Sequence, residues 1–69
     1  MVTVMVEGRL INTFADEFVI VCDNDMKFSL ELQDKNIEEF VNHDVIISGE
    51  MIGYDVNIPK ITVKRIRLT

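Results

Sequence analysis

The sequence predicts an all-β domain: a five-stranded closed barrel with one short helix between its third and fourth strands. Most of the chain alternates between apolar and polar residues, the signature of half-buried strands, and one stretch has helical spacing. Glycines inside the first and fourth strands, Gly8 and Gly49, permit the close approach and bending that a closed sheet requires. Because 69 residues form only one core, we expect a single domain over residues 1–69.

The first three strands are predicted to form a meander. Residues 2–6 alternate with valine on one face, residues 17–22 are apolar on both faces, and residues 26–33 alternate again. Turns are expected over residues 13–16 and over the Asp23-Asn24-Asp25 sequence, whose residue types favour a hairpin. Consecutive strands of this kind pair with one another along the chain.

A short helix is predicted over residues 34–42, followed by two more strands. The apolar residues of this stretch fall at positions i, i+3 and i+4 and form one stripe: Ile37, Phe40 and Val41. Alternation then resumes over residues 44–52, and a last strand begins near residue 57. The predicted order is therefore three strands, a helix and two strands.

The last strand changes phase along its length. Ile61 and Val63 alternate in one phase, whereas Ile66 and Leu68 alternate in the opposite one. A β-bulge, which inserts one residue and bends the strand, would reconcile the two phases near residues 64–65. Strongly bent strands favour a closed barrel over an open sheet.

This order of elements is that of the OB-fold. Residues 45–51 (VIISGEM) and 61–68 (ITVKRIRL) resemble strands four and five of OB-fold single-strand DNA-binding proteins. Val45, Ile47 and Gly49 match the V-x-V-x-G-like run of the fourth strand in that family. The resemblance implies binding of single-stranded DNA or RNA across the second and third strands. The loops between strands one and two and between strands four and five would form the walls.

Charge is divided unevenly along the chain. All twelve acidic residues precede residue 58, whereas residues 58–69 contain four of the seven basic ones. A nucleic-acid interface would use the following residues for phosphates and, in the case of the tyrosine, for base stacking: Arg9, Tyr54, Lys60, Lys64, Arg65 and Arg67. We expect Arg9 to lie on a strand next to the basic one. Alternatively, these cations form cross-strand ion pairs with Glu7, Glu50 or Asp55.

Base stacking on the predicted nucleic-acid face would require exposed aromatic side chains. The third strand would present Lys27, Ser29, Glu31 and Gln33, which include no aromatic ring, and this departs from the family pattern. Phe14 and Tyr54 both fall in loops that could stack a base, but we expect Phe14 to cover one end of the barrel as part of the core. Tyr54 is the better stacking candidate, although a tyrosine between Gly53 and Asp55 is also a common turn residue.

The competing hypothesis is a protein-interaction or oligomerisation module. Either Val19 and Val21 or Phe18 and Ile20 would face outward on the second strand, and both choices leave apolar side chains on the surface. We assign the interface to Val19 and Val21, with a second copy or another protein as the partner. A further alternative is an SH3-like or Sm-like barrel, which has no obvious place for a helix after the third strand.

Catalysis, metal binding and cofactors find little support in the sequence. The chain has one histidine, His43, and one cysteine, Cys22, whose acidic neighbours would raise its pKa and which we interpret as an inert thiol. No phosphate-binding glycine loop or pair of ligand histidines is present. We therefore expect neither an enzyme nor a small-molecule substrate or cofactor. The single cysteine and the absence of a recognisable targeting or membrane segment favour the cytoplasm.

Overall fold

Five β-strands form a closed barrel. The computed structural model describes residues 2–14, 17–32, 37–55 (Asp55 by its backbone only) and 57–69. The strands are β1 (Val2–Phe14), β2 (Glu17–Val21), β3 (Lys27–Glu31), β4 (Asp44–Asp55) and β5 (Ile58–Leu68). Their order around the barrel is β1-β2-β3-β5-β4, with β1 and β4 closing the sheet. The pairing of β3 with β5 is parallel, and the other pairs are antiparallel. The predicted all-β class and the five-stranded closed sheet are confirmed.

The barrel interior is filled by aliphatic side chains from all five strands. Burial of such side chains is the main driving force for folding of a small domain. The segment between β3 and β4 adds Ile37, which is 1% exposed. The buried core cluster consists of Leu10, Ile20, Leu30, Ile37, Val45, Ile47, Ile61 and Val63.

The predicted helix is wrong over the part that the structure describes. Residues 37–42 contain a single turn of 3-10 helix, Glu38–Phe40, and the backbone is already extended at Val41. The backbone N–H of Asn42 donates to the carbonyl of Leu10 at 2.7 Å, and the N–H of Leu10 donates to the carbonyl of His43 at 3.1 Å. These bonds tie the segment to β1 and prevent a longer helix. Gln33, Asp34, Lys35 and Asn36 lie outside the described residues.

β1 changes partners halfway along its length. Residues 2–9 pair with β4, and residues 9–14 pair with β2. Gly8 lies at the change, where a Cβ atom would overlap the carbonyl oxygen of Val21. A Cβ atom on Gly49 would likewise overlap the carbonyl oxygen of Thr62. Both glycines therefore allow close strand approach, as predicted. The strand itself continues to Phe14, further than the turn predicted over residues 13–16.

The predicted β-bulge in the last strand is confirmed. Ser48 pairs with Arg65 and Gly49 pairs with Val63, so Lys64 is the extra residue of β5. The bulge shifts the alternation by one position. As a result Ile66 packs against the core, and the arginines on either side of it, Arg65 and Arg67, are exposed.

Candidate nucleic-acid interface

The outer face of β2 carries valines. Val19 pairs with Ile11 on β1 and with Ser29 on β3, and Val21 pairs with Lys27. Cross-strand partners point to the same side of a sheet, so these valines share the outer face with Lys27 and Ser29. Phe18 and Ile20 alternate with them and pack inside. Of the two orientations considered from the sequence, the structure has Val19 and Val21 outward.

A cleft of about 300 Å³ lies over this face, at the end where the β1–β2 and β4–β5 hairpins turn. The apolar side chains of Ile11 and Val19 form its floor. Val19 lies between Ile11 and Ser29 on the neighbouring strands and is only 8% exposed. The lining residues are Ile11, Thr13, Glu17, Val19, Lys27, Ser29 and Ile58. A second recess of about 440 Å³ shares Glu17 and Ser29 with the cleft. This recess extends the cleft along β3 towards Lys60.

One wall of the cleft is the end of the β1–β2 hairpin. The side-chain Nδ2 of Asn12 donates a hydrogen bond to the carbonyl oxygen of Glu17 at 2.8 Å and fixes this end. The register is irregular between Asn12 and Phe14, and Phe14 pairs with the cleft-lining Glu17. Regular alternation from Leu10 would have turned Phe14 inward. The irregularity instead leaves Phe14 79% exposed, so its predicted core position is wrong.

The β4–β5 hairpin forms the opposite wall. Tyr54 is 76% exposed and pairs with Pro59, whereas the cleft-lining Ile58 pairs with Asp55. Neighbouring residues on a strand point to opposite faces, so Tyr54 lies on the other face of this hairpin from Ile58. Phe14 pairs with Glu17 and so shares the outer face with this cleft-lining residue, whereas Tyr54 does not share a face with Ile58. Sequence reasoning placed Phe14 in the core and preferred Tyr54, because the ladder irregularity leaves no mark in the apolar pattern.

The predicted phosphate-binding cations are distributed over different faces. Lys60 pairs with Ser29 and extends the cleft, joined there by Lys27, which had not been assigned a role. Arg65 and Arg67 pair with Ser48 and Ile46 on β4, on a face formed by β1, β4 and β5. Arg9 was expected on a strand next to the basic one. This is wrong, because β4 separates β1 from β5.

Two of the cations form ion pairs. Arg9 Nε lies 3.6 Å from Asp44 Oδ1, and Lys64 Nζ lies 4.0 Å from Glu50 Oε1. Of the carboxylates predicted as partners, Glu50 is thus used. Glu7 pairs with no described cation, and the side chain of Asp55 lies outside the described part. Both pairs are largely solvent-exposed, so each contributes at most a few tenths of a kcal/mol.

The remaining cations have no ion-pair partner among the described side chains. They are the two lysines along the cleft and the two arginines of the bent strand: Lys27, Lys60, Arg65 and Arg67. An unpaired cation on a rigid strand is available to a ligand without first breaking an internal contact. The cleft and the arginine face are therefore the two surfaces with free positive charge in the part of the chain described.

The surroundings of Cys22 disfavour its thiolate form. Burial, and then the negative charge of Asp23, raises the pKa of the Cys22 thiol above its ordinary value. The thiol is therefore protonated and weakly nucleophilic at neutral pH. Among residues 2–14, 17–32, 37–55 and 57–69, no three His, Cys, Asp or Glu side chains are placed to hold a metal ion. The same residues contain no helix long and apolar enough to cross a membrane.

The cleft and its adjoining recess thus combine an apolar floor with Lys27 and Lys60, and the exposed ring of Phe14 lies at the hairpin end beside Glu17. This combination suits an extended ligand that carries both planar groups and negative charge. Comparisons of the chain with protein-family models, with curated proteins and with solved structures give no match.

Proposed function

We propose that the protein is a non-catalytic, OB-like binding module that holds single-stranded nucleic acid in the cleft. The observation that carries the proposal is the cleft on the outer face of β2 and β3, where Lys27 lines an apolar floor and Lys60 lines the adjoining recess. Phe14 is exposed at the end of the neighbouring hairpin, where it pairs with the cleft-lining Glu17. In OB-folds the β2–β3 face and the loops between strands one and two and strands four and five bind oligonucleotides. The cleft occupies the corresponding place.

The topology supports the OB-like proposal over an SH3-like or Sm-like barrel. The helical turn Glu38–Phe40 lies between β3 and β4, where the OB-like order expects its helix. The parallel pairing of β3 with β5 also requires a long connection between them, which β4 and its flanking segments supply. A simple antiparallel meander would need neither feature.

The chemistry of the cleft fits a single strand better than a duplex. A base can stack on Phe14 only if it is unpaired, and the apolar floor formed by Ile11 and Val19 suits base or sugar surfaces. Among the described residues, Lys27 and Lys60 are the cations on this side without an ion-pair partner, so about two phosphates would be neutralised. Glu17 and Glu31 flank the same path and limit further contacts with phosphate.

The proposal is tested by fluorescence anisotropy with a labelled oligothymidylate of roughly 12 nucleotides, within the site size of one such barrel. We expect binding at low salt, with the logarithm of the affinity falling against the logarithm of salt concentration with a slope of about −1.4 for two phosphates. The double variant Lys27→Gln/Lys60→Gln is expected to lower the affinity at least about tenfold and to flatten the slope.

The matched control is Arg65→Gln/Arg67→Gln. It removes the same number of positive charges from the other face of the barrel, so general electrostatic attraction changes equally. We expect this control to retain most of the wild-type affinity. Absence of binding at low salt and high protein concentration, or equal loss in both variants, would rule out a nucleic-acid site in the cleft.

A second candidate function is self-association or protein binding through the same apolar floor. The outward orientation of Val19 and Val21 favours it, because an apolar side chain of a partner also fits such a floor. Sedimentation velocity over a wide concentration range separates the two. A mass that rises with concentration, and that returns to the monomer in Val21→Asp but not in Thr3→Asp, would favour the interaction module.

A further inference from the structure

The face formed by β1, β4 and β5 carries a second depression, on a different side of the barrel from the cleft. It has a volume of about 420 Å³ and is lined by Met5, Ile46, Ser48, Arg65, Ile66 and Arg67. Met5 is 72% exposed, although methionine is normally found inside a domain. The depression thus combines an accessible, adaptable apolar side chain with two guanidinium groups.

The bulge in β5 places the two arginines. Because Lys64 is the inserted residue, Arg65 and Arg67 face outward on either side of Ile66, which packs against the core. Two residues along a strand advance about 7 Å, and this sets the separation of the arginine backbones. Neither arginine forms an ion pair with a described carboxylate. The depression therefore holds two free cations at a fixed spacing.

The surroundings disfavour nucleic acid as the occupant. None of the chain's five aromatic residues lines the depression, so no base can stack there. Glu7 pairs with Ile46 on the same outer face, in line with Arg67, but does not line the depression, so it disfavours a long anionic chain that continues over β1 and leaves room for a short one over β4 and β5. Two arginines with an apolar floor instead match carboxylates, because a guanidinium group can bind a carboxylate through two parallel hydrogen bonds.

We infer that this depression binds an acidic peptide segment of a partner protein. The segment is extended and carries two carboxylates at alternate positions, with an apolar side chain near them. Carboxylates two residues apart in an extended chain have the same spacing as Arg65 and Arg67. Each carboxylate meets one arginine, and the apolar side chain rests on Met5 and Ile46. This site is independent of the proposed nucleic-acid function.

The test uses a fluorescein-labelled peptide of sequence Ser-Glu-Ser-Glu-Ser-Leu-Ser with blocked termini, in which both glutamates and the leucine share one face of the extended chain. Its counterpart has glutamine in place of both glutamates. We expect the acidic peptide to bind at low salt and the glutamine peptide to bind at least about tenfold more weakly. Arg65→Gln/Arg67→Gln should lower the affinity for the acidic peptide about tenfold or more. The charge-matched variant Lys27→Gln/Lys60→Gln should change it by less than about twofold.

Three results would overturn the inference: equal binding of the two peptides, equal loss in both double variants, or displacement of the acidic peptide by oligothymidylate. The last would assign the arginines to nucleic acid. Both arginines are exposed, so the variants should keep the wild-type melting temperature, and circular dichroism checks this. Loss of oligothymidylate binding in the lysine variant alone leaves this inference intact, so the two proposals fail separately.

Discussion

Phe14 owes its exposed position to one irregularity in the β1–β2 ladder. The register shifts between Asn12 and Phe14, so Thr13 is the extra residue of β1. Phe14 is therefore exposed, whereas Leu10 points into the barrel. Exposing a phenylalanine costs the burial free energy of an apolar side chain, roughly 1.5–3 kcal/mol.

The proposed function assigns base stacking to Phe14, and substitution of this residue tests it. Phe14→Leu should lower the affinity for oligothymidylate about fivefold or more, because a stacked base is lost. Tyr54→Leu is the matched control: it also removes an exposed aromatic ring, but from the other face of the β4–β5 hairpin. Anisotropy titrations measure both. A larger loss in Tyr54→Leu than in Phe14→Leu would show that the cleft is not the stacking site.

β5 is two half-strands joined by a bulge. Its first half pairs with β3 and β4, and its second half pairs with β4 beyond the inserted Lys64. The change of apolar phase from Val63 to Ile66 is visible in the sequence, because only a bulge keeps both residues in the core. This element could therefore be predicted, including the outward direction of Arg65 and Arg67.

Stability measurements check the phase of the second half of β5. Ile66→Ala should lower the free energy of unfolding by about 2 kcal/mol, since a side chain packed on the core is truncated. Arg65→Ala and Arg67→Ala should change it by less than about 0.5 kcal/mol each. Urea titrations followed by circular dichroism give the values. If Arg65→Ala proved as costly as Ile66→Ala, the register beyond Lys64 would be wrong.

The conformation of the segment before β4 could not be predicted from its apolar spacing. Ile37, Phe40 and Val41 all contact the core, as their spacing predicts, yet the described residues 37–42 form a single 3-10 turn. Three apolar residues over five positions are compatible with either conformation. Two hydrogen bonds between Leu10 of β1 and residues Asn42 and His43 hold the end of this segment in a non-helical conformation. Such tertiary contacts cannot be predicted from local spacing.

For the whole molecule, strand order determines which charges share a face. The four basic residues after position 57 lie close together in the sequence. However, β5 lies between β3 and β4, and the bulge changes the direction of its second half. Lys60 therefore reaches the recess beside the cleft, and Arg65 and Arg67 lie on the outer surface at a different side of the barrel. The sequence could supply the residues of the site, but not their division between two surfaces, because that depends on long-range pairing.

The net charge of −5 predicts opposite effects of salt on stability and on binding. Added NaCl screens repulsion among the acidic residues and should raise the melting temperature, with most of the change complete near 0.15 M, where the Debye length is about 8 Å. The same addition should weaken oligothymidylate binding. Thermal melts and anisotropy titrations in the same buffers measure both. An affinity that did not change with salt would contradict the assigned roles of Lys27 and Lys60.

The central claim is that the cleft over β2 and β3 holds single-stranded nucleic acid. The most direct test is to titrate oligothymidylate into ¹⁵N-labelled protein and follow the backbone amide chemical shifts. We expect the largest chemical-shift changes at the amides of Ile11, Phe14, Val19 and Ser29, and no change at those of Arg65 and Arg67. Shifts centred on Arg65 and Arg67, or no shifts at high oligonucleotide concentration, would contradict it.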